Sequence, residues 1–288
     1  MNDRITKEMS VTTALSKLKR KIPYGWDLNI YKGCEHGCKY CYALYYNDNI
    51  DSIDFFNEIY VKSNILDVLE KELACAQWNR DIVNIGGVTD SYQPIEAEIK
   101  LMPEILRLMI KYKTPVIISS KASLILRDFD LIDELFRITL VNIAQTITCM
   151  DENIRLKIEP NSAVSLSRFN VLKEFRKTNA SISVHVMPII PYLTDNCENL
   201  NAIFANAAAC KADYALTGTL YLRGKTRPYF LEFIKQEFPE VYDKLLIIYK
   251  TGGADKKYKN TLYQMVNTLR DKHGISGSYS KPLKERLK

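Results

Sequence analysis

No stretch of this 288-residue chain stays apolar for the roughly 18 residues that a membrane-spanning helix needs. Met1 to Met9 mixes acidic and basic side chains and lacks the apolar segment of a secretion signal. No internal repeat, low-complexity tract or clear linker is visible, so a solenoid, a disordered chain and a string of separate domains are all disfavoured. The seven cysteines are odd in number and irregularly spaced outside one stretch, which does not read as a disulfide framework. That usage suits a reducing cytoplasm. No second Cys or His pair follows at zinc-finger spacing. The remainder is ordinary: 47% hydrophobic, 26% charged, net charge +6. Such a composition folds into a core, and its mild basic excess is compatible with an anionic substrate or a nucleic acid.

Against this background one stretch stands out, Cys34-Glu35-His36-Gly37-Cys38-Lys39-Tyr40-Cys41. Three thiolates spaced C-x3-C-x2-C can grip one metal centre from a single loop. Iron–sulfur clusters are held by Cys thiolates, normally four. Three would leave one iron of a [4Fe–4S] cluster open for chemistry. A structural zinc ion wants four tetrahedral ligands, and His36 could join the same ion only with awkward geometry. Gly33 and Gly37 suit a tight loop, since glycine tolerates positive φ and close approach.

The run Tyr31 to Ala43, with Tyr40 as the aromatic just before the third cysteine, resembles the radical S-adenosylmethionine (SAM) enzymes. Within them it is similar to the spore photoproduct lyase-related, or DNA repair photolyase-like, branch. The resemblance covers residues 26–225. It implies a [4Fe–4S] cluster on Cys34, Cys38 and Cys41, SAM chelated at the open iron with Tyr40 among its contacts, and a one-electron donor such as flavodoxin or ferredoxin. An oxygen-labile cluster would also need the cytoplasm. The implied chemistry is reductive cleavage of SAM to a 5′-deoxyadenosyl radical that abstracts hydrogen from a substrate.

The rest of the chain alternates strand and helix. Strands are predicted over Asp27–Tyr31, Asp81–Gly87, Thr114–Ser120, Leu140–Thr146, Ser181–Met187 and Asp213–Gly218. Helices are predicted over Asn64–Leu73 (Asn64 as cap), Ile99–Tyr112, Phe129–Phe136, Leu166–Lys177 and Asn196–Cys210, with a further helix starting at Ala43–Tyr46. Short apolar strands joined by helices imply parallel βαβ units with right-handed crossovers. Six of them suggest an α/β fold, a partial (β/α)6 TIM-like barrel, which the resemblance also implies. Residues 1–25 read as an N-terminal arm, 26–225 as the barrel, and 226–288 as a helical extension with a basic tail. The extension has helices at Pro228–Phe238 and Lys257–Lys272 with a turn at Tyr249–Ala254.

In such barrels the chemistry sits at the C-terminal ends of the strands. The second strand ends in Gly86-Gly87-Val88-Thr89-Asp90-Ser91-Tyr92-Gln93, which matches the branch. Carbonyls at Gly86 and Gly87 could accept from SAM's ammonium, and Asp90, Tyr92 and Gln93 are pocket candidates. Glu96 reads as a helix-start carboxylate. The third strand end supplies Lys121 for SAM's carboxylate or the substrate, while Arg127 and Asp128 read as a local pair. The fourth supplies Thr146 and Thr148 for SAM's ribose or carboxylate. Glu159 and Arg168 match the branch, either as a buried pair or as ligand contacts. Met187 to Pro191 would form an apolar wall near the adenine, and His185 reads as a structural histidine. Cys75, Cys149, Cys197 and Cys210 read as small buried hydrophobes. The photoproduct lyases proper carry a further hydrogen-donating cysteine near the second strand end; Gly86 to Asp90 has none. The competing reading is a non-catalytic nucleic-acid-binding protein with a structural metal, resting on the basic arm, the basic tail and 18 tyrosines.

Overall fold

The structure, a computed structural model, describes residues 4–18, 24–46 and 52–279. Its strands are β1 (Ile5–Met9), β2 (Leu15–Lys17), β3 (Trp26–Leu28), β4 (Tyr31–Lys32), β5 (Glu58–Lys62), β6 (Val83–Ile85), β7 (Val116–Ser120), β8 (Val141–Thr146), β9 (Ser181–Ile189) and β10 (Tyr214–Thr219). The main sheet runs β10-β9-β8-β7-β6-β3-β2. Six of its strands, β3 and β6 to β10, are parallel, and β2 joins antiparallel through Leu15↔Leu28. This is the open six-stranded α/β barrel that the strand–helix alternation implies.

Parallel strands covered on both faces read as continuous apolar runs. Val83, Ile85, Val116, Ile118, Val141, Ile143, Ile182 and Val184 are all fully buried in one core. Registers align the strand starts: Trp26↔Val83, Val83↔Val116, Val116↔Val141 and Asn142↔Ser181. The C-terminal ends therefore converge on one mouth. Near the opposite end, buried Asn142 donates to Ser181 Oγ (2.8 Å) and accepts from Ser183 Oγ (3.2 Å) and the Tyr214 hydroxyl (3.0 Å). Three strands are thereby tied by polar groups that all have partners.

The ends of the chain differ from the expectation. The leading segment is no free arm: β1 pairs in parallel with β5, which also pairs β4 in a separate three-stranded sheet. Glu72 accepts from the backbone of Ala14 (3.0 Å) and Leu15 (2.8 Å), and Asn64 exchanges hydrogen bonds with Val11 (2.8 and 2.9 Å). Asn64 thus holds the leader, and its side chain does not cap the helix Ile65–Ala74 that follows it. Most of the basic run Lys17–Lys21, and the tail from residue 280 onward, lie outside the described residues.

The helix predicted over Ile99–Tyr112 is split into Glu96–Ile99 and Leu101–Lys111 at Lys100, which takes φ 58°. In the C-terminal part an additional helix, Pro239–Ile248, lies between Thr226–Glu237 and Lys256–His273. Its first residue is a proline, the residue that best tolerates that position. The last helix covers the outer edge of β10: Arg270 donates to Ala215 O and Thr217 Oγ1 (2.9 Å each), and Ser276 O accepts from Ala215 N (2.9 Å). An edge strand with its backbone groups occupied cannot template further pairing.

Asn142→Leu keeps the volume but strips the Tyr214 and Ser183 hydroxyls of their acceptor. Each orphaned buried group costs about 1–3 kcal/mol. Urea unfolding should show a lowered midpoint with an unchanged slope; an unchanged midpoint would contradict the barrel-tie role.

Candidate active site and cluster-binding loop

The three cysteines lie on one loop between β4 and the short helix Ala43–Tyr46, at the barrel mouth. Cys34 and Cys38 are buried and Cys41 is half-buried. Burial pushes all three thiols above their ordinary range; Cys34 rises to about 12. Gly33 opens the loop at φ 89°, where a Cβ would stand 2.4 Å from Glu58 O. Only glycine fits there.

The loop is held from many sides. Cys34 N donates to Phe55 O (3.0 Å), Lys39 N to Ile158 O (2.9 Å) and Asn161 N to His36 O (3.3 Å). Gln93 accepts from Glu35 N (2.8 Å) and donates to Gly33 O (3.3 Å), while Thr89 Oγ1 donates to Gly33 O (2.6 Å). Thr226 Oγ1 reaches Cys41 O (3.0 Å). The C-terminal helices close over the loop, because Phe230 and Phe233 share a buried cluster with Cys38 and Tyr40.

His36 takes no part as a ligand-like neighbour of the sulfurs. Its Nε2 lies 3.0 Å from Asp90 Oδ2 and its Nδ1 3.1 Å from Asn161 O. Asp90 also accepts from Ser120 Oγ (2.9 and 3.1 Å), Lys121 N (2.8 Å) and Tyr92 N (2.9 Å). Burial opposes the ionised carboxylate, but His36 and the backbone donors outweigh it and hold Asp90 at about 2. Asp90, expected in the ligand pocket, is therefore fully engaged inside the protein. It is a positioning residue that binds the cysteine loop to the third barrel strand. Gln93 is likewise occupied, and Tyr92 is buried below the surface of the mouth.

A second anchor is Glu159, completely buried and paired with the equally buried Arg168 (2.5 Å). It accepts from Thr148 Oγ1 (3.1 Å), Ser162 Oγ (3.2 Å) and the Tyr40 hydroxyl. Arg168 in turn donates to Thr146 O (2.7 Å) and Ala163 O (2.8 Å). Burial works against the Glu159 charge, yet Arg168 and Lys121 keep it down at about 2. Thr148 and Tyr40, expected to touch SAM, spend their hydroxyls on this carboxylate. Glu159 and Arg168 form the buried pair rather than ligand contacts.

What faces the mouth is different. Lys121 has no acceptor for its ammonium among the described residues, and its Nζ stands 5.8 Å from the centroid of the Tyr40 ring. Burial disfavours its charge, but Cys38, Glu159 and Asp90 favour it and the balance is upward. In register on the next two strands are Thr146 and His185. The Thr146 hydroxyl has no partner among the described residues. His185 is pushed down to about 4 by burial and by Lys121, so it is neutral at pH 7. Gln145, beside Ser120 on β8, has a buried Oε1 without a partner. Of the stretch Met187 to Pro191, Ile190 stands in the same buried cluster as Cys38 and Tyr40. Gly86 takes φ 90°, and a Cβ there would stand 2.8 Å from Ser119 O, so the position is closed to any side chain. The Gly87 carbonyl is taken by the Tyr42 hydroxyl.

Among the described residues no three His, Cys, Asp or Glu side chains converge tightly enough to hold one ion. A cubane asks for something else: each cysteine ligates a different iron, so the thiols stand apart around a cage. Three loop thiols, two of them buried, an ammonium with no acceptor among the described residues and an orphaned amide oxygen fit a cluster beside a cofactor that carries both a carboxylate and hydrogen-bond donors.

The model of the Radical SAM superfamily matches residues 28–201, more than half of the chain. The chain belongs to the radical SAM superfamily. An uncharacterized protein of Mycobacterium tuberculosis is 30% identical over 278 residues, covering 94% of this chain and 82% of that one. One of Methanocaldococcus jannaschii is 27% identical over 253 residues, covering 88% and 89%. Among solved structures, spore photoproduct lyase with bound AdoMet and dinucleoside spore photoproduct aligns with a TM-score of 0.69 at 11% identity, covering 93% of this chain and 79% of that one. At that identity the likeness shows the fold. As a radical SAM enzyme, the protein is not the non-catalytic metal-bearing binder that composition alone left open.

Other positions are corrected or added by the structure. Glu96, fully buried, accepts from Leu101 N (3.1 Å), Met102 N (2.9 Å) and Arg127 (2.6 Å), so it caps the following helix. Arg127 and Asp128 pair at 2.8 Å as expected. Cys149 and Cys210 are buried, but Cys75 and Cys197 are exposed at helix ends. His36, Glu35, Ser120 and Asn161 were missed as loop supports. Glu35 and His36 carried a signal, their place inside the cysteine motif. No helix among the described residues is long and apolar enough to cross a membrane.

Glu159→Gln leaves the Arg168 guanidinium buried without a countercharge, which costs about 3–5 kcal/mol at neutral pH. Because the Glu159 carboxyl is depressed in the fold, its contribution is full above the unfolded value of about 4.3 and is lost as pH falls toward 2. Denaturant unfolding of both proteins should show a gap that is widest above pH ~4.5 and narrows below it. A gap independent of pH would contradict the pairing.

Proposed function

We propose that the protein is a radical SAM enzyme acting on a nucleic acid, with damaged DNA the leading substrate class, and that it takes its electron from a donor such as flavodoxin or ferredoxin. When bound, the cluster and SAM supply reductive formation of a 5′-deoxyadenosyl radical for hydrogen abstraction. Cys34, Cys38 and Cys41 would hold the cluster. Lys121 would pair with SAM's carboxylate or a substrate anion, as a point charge with three donors. Thr146 would hydrogen-bond the cofactor, and Ile190 would exclude water beside it.

The observation that carries the nucleic-acid reading is aromatic. Tyr42, Tyr45 and Tyr46 follow Cys41 directly and are 51%, 38% and 52% exposed. Exposed rings beside an active-site loop give bases a face to stack on, worth about 1–3 kcal/mol per base. The net charge of +6 supports the same reading. So does the likeness to a lyase whose structure contains a dinucleoside photoproduct. The stretch Gly86–Asp90 lacks the hydrogen-donating cysteine of the photoproduct lyases proper, so the reading extends to hydrogen abstraction and no further.

Anaerobic reconstitution should give a brown protein with ~4 iron and ~4 sulfide per chain, releasing 5′-deoxyadenosine under a strong reductant. The Cys34/Cys38/Cys41→Ala triple variant should lose both; retention of either sinks the ligand assignment. Lys121→Met should keep the iron and raise the KM for SAM about tenfold, the ~1.4 kcal/mol of one charge-assisted contact. Deuterium carried from labelled, ultraviolet-damaged DNA into 5′-deoxyadenosine would support the substrate reading. SAM cleavage with no transfer from any DNA or RNA would remove it.

A further inference from the structure

A cavity of 470 Å³ lies on the outer side of the cysteine loop, lined by residues of the β1–β2 connection, β4 and β5. Ser10, Thr12, Thr13 and Ser16 bring hydroxyls to it, and Lys32 and Lys62 bring ammonium groups. Its described lining contains no carboxylate. Gly33 and Thr89 form part of its wall, so a ligand there would lie one residue from Cys34.

The two lysines are unusual for their surroundings. Lys62 Nζ donates to the Asn29 carbonyl (2.5 Å) and has no carboxylate partner among the described residues. Lys32 Nζ lies 5.6 Å from the centroid of the Tyr60 ring and likewise has no carboxylate partner among the described residues. A carboxylate is close by: Glu58, on the same strand as Lys62, pairs instead with Lys7 (2.7 Å) and accepts from Tyr60 (3.0 Å). Burial and the neighbouring Lys32 both push the Lys62 ammonium downward from its ordinary range. Two like charges held at one partly buried cavity repel, and an anion between them would relieve that.

We propose that this cavity is an oxyanion site that takes a phosphate group. Two ammonium groups with three donors each, and four hydroxyls around them, offer more donors than a planar carboxylate can use. A tetrahedral phosphate accepts from all sides, and lysine binds it as a point charge. The group would be a phosphodiester or a free phosphate; both share this chemistry.

The test uses the full chain with its cluster reconstituted, at low ionic strength. Inorganic phosphate is titrated calorimetrically, with chloride at matched ionic strength as the control. Wild type should bind phosphate, and Lys62→Met and Lys32→Met should each weaken it at least tenfold while SAM cleavage stays at the wild-type rate. Thr13→Val, which leaves both charges in place, should weaken it less and covers the case in which a lysine variant fails to fold. A short deoxyoligonucleotide that competes with phosphate identifies a phosphodiester site; phosphate binding without competition identifies a free-phosphate site. Absence of binding by both probes, or binding unchanged in all three variants, overturns the proposal.

Discussion

A single buried carboxylate, Glu159, joins the cysteine loop to the barrel. Through Tyr40 it holds the residue before the third cysteine, through Thr148 the end of β8, and through Arg168 the carbonyl of Thr146. An ion pair this deep is costly to desolvate and is tolerated because every remaining donor and acceptor is matched. Its counterpart on the other side of the loop is Asp90, which gathers His36, Ser120 and the backbone of Lys121. Between these two anchors the loop that carries the three thiols is tied on both sides. A site held by supporting hydrogen bonds is better placed to grip a cluster and its cofactor.

The same two anchors divide the strand-end residues into two groups. Asp90, Tyr92, Thr148, Glu159 and Arg168 are buried, and the polar atoms of Asp90, Glu159 and Arg168 and the Thr148 hydroxyl are spent within the protein. Lys121, Thr146 and His185 keep polar atoms that no neighbour among the described residues satisfies. Lys121 is half-buried and its ammonium has no acceptor among the described residues, which leaves a positive charge at the mouth free to meet an anion. The phosphate cavity repeats that logic a short distance away, with Lys32 and Lys62 in place of Lys121.

All six barrel strands were legible in the sequence because buried parallel strands are nearly continuous apolar runs, as in Val116-Ile117-Ile118. The cysteine motif was legible because its spacing is local. What stayed hidden was directional or long-range. β1 is exposed along most of its length and finds its partner some 50 residues away, so no periodicity marks it. Asp90 stood correctly at a strand end, but spacing does not say whether a carboxylate turns toward the mouth or back onto His36. Asn64 had the residue type of a helix cap and served the Val11 backbone instead. Lys100 broke a helix whose apolar spacing runs on past the break.

The central claim is that Cys34, Cys38 and Cys41 hold a [4Fe–4S] cluster with one iron free for SAM. Electron paramagnetic resonance of the reduced, reconstituted protein tests it most directly. The account predicts a reduced-cluster spectrum that changes when SAM is added, because SAM chelates the free iron, and that is missing from the triple cysteine variant. A cluster spectrum indifferent to SAM, or one that survives loss of the three cysteines, would contradict it.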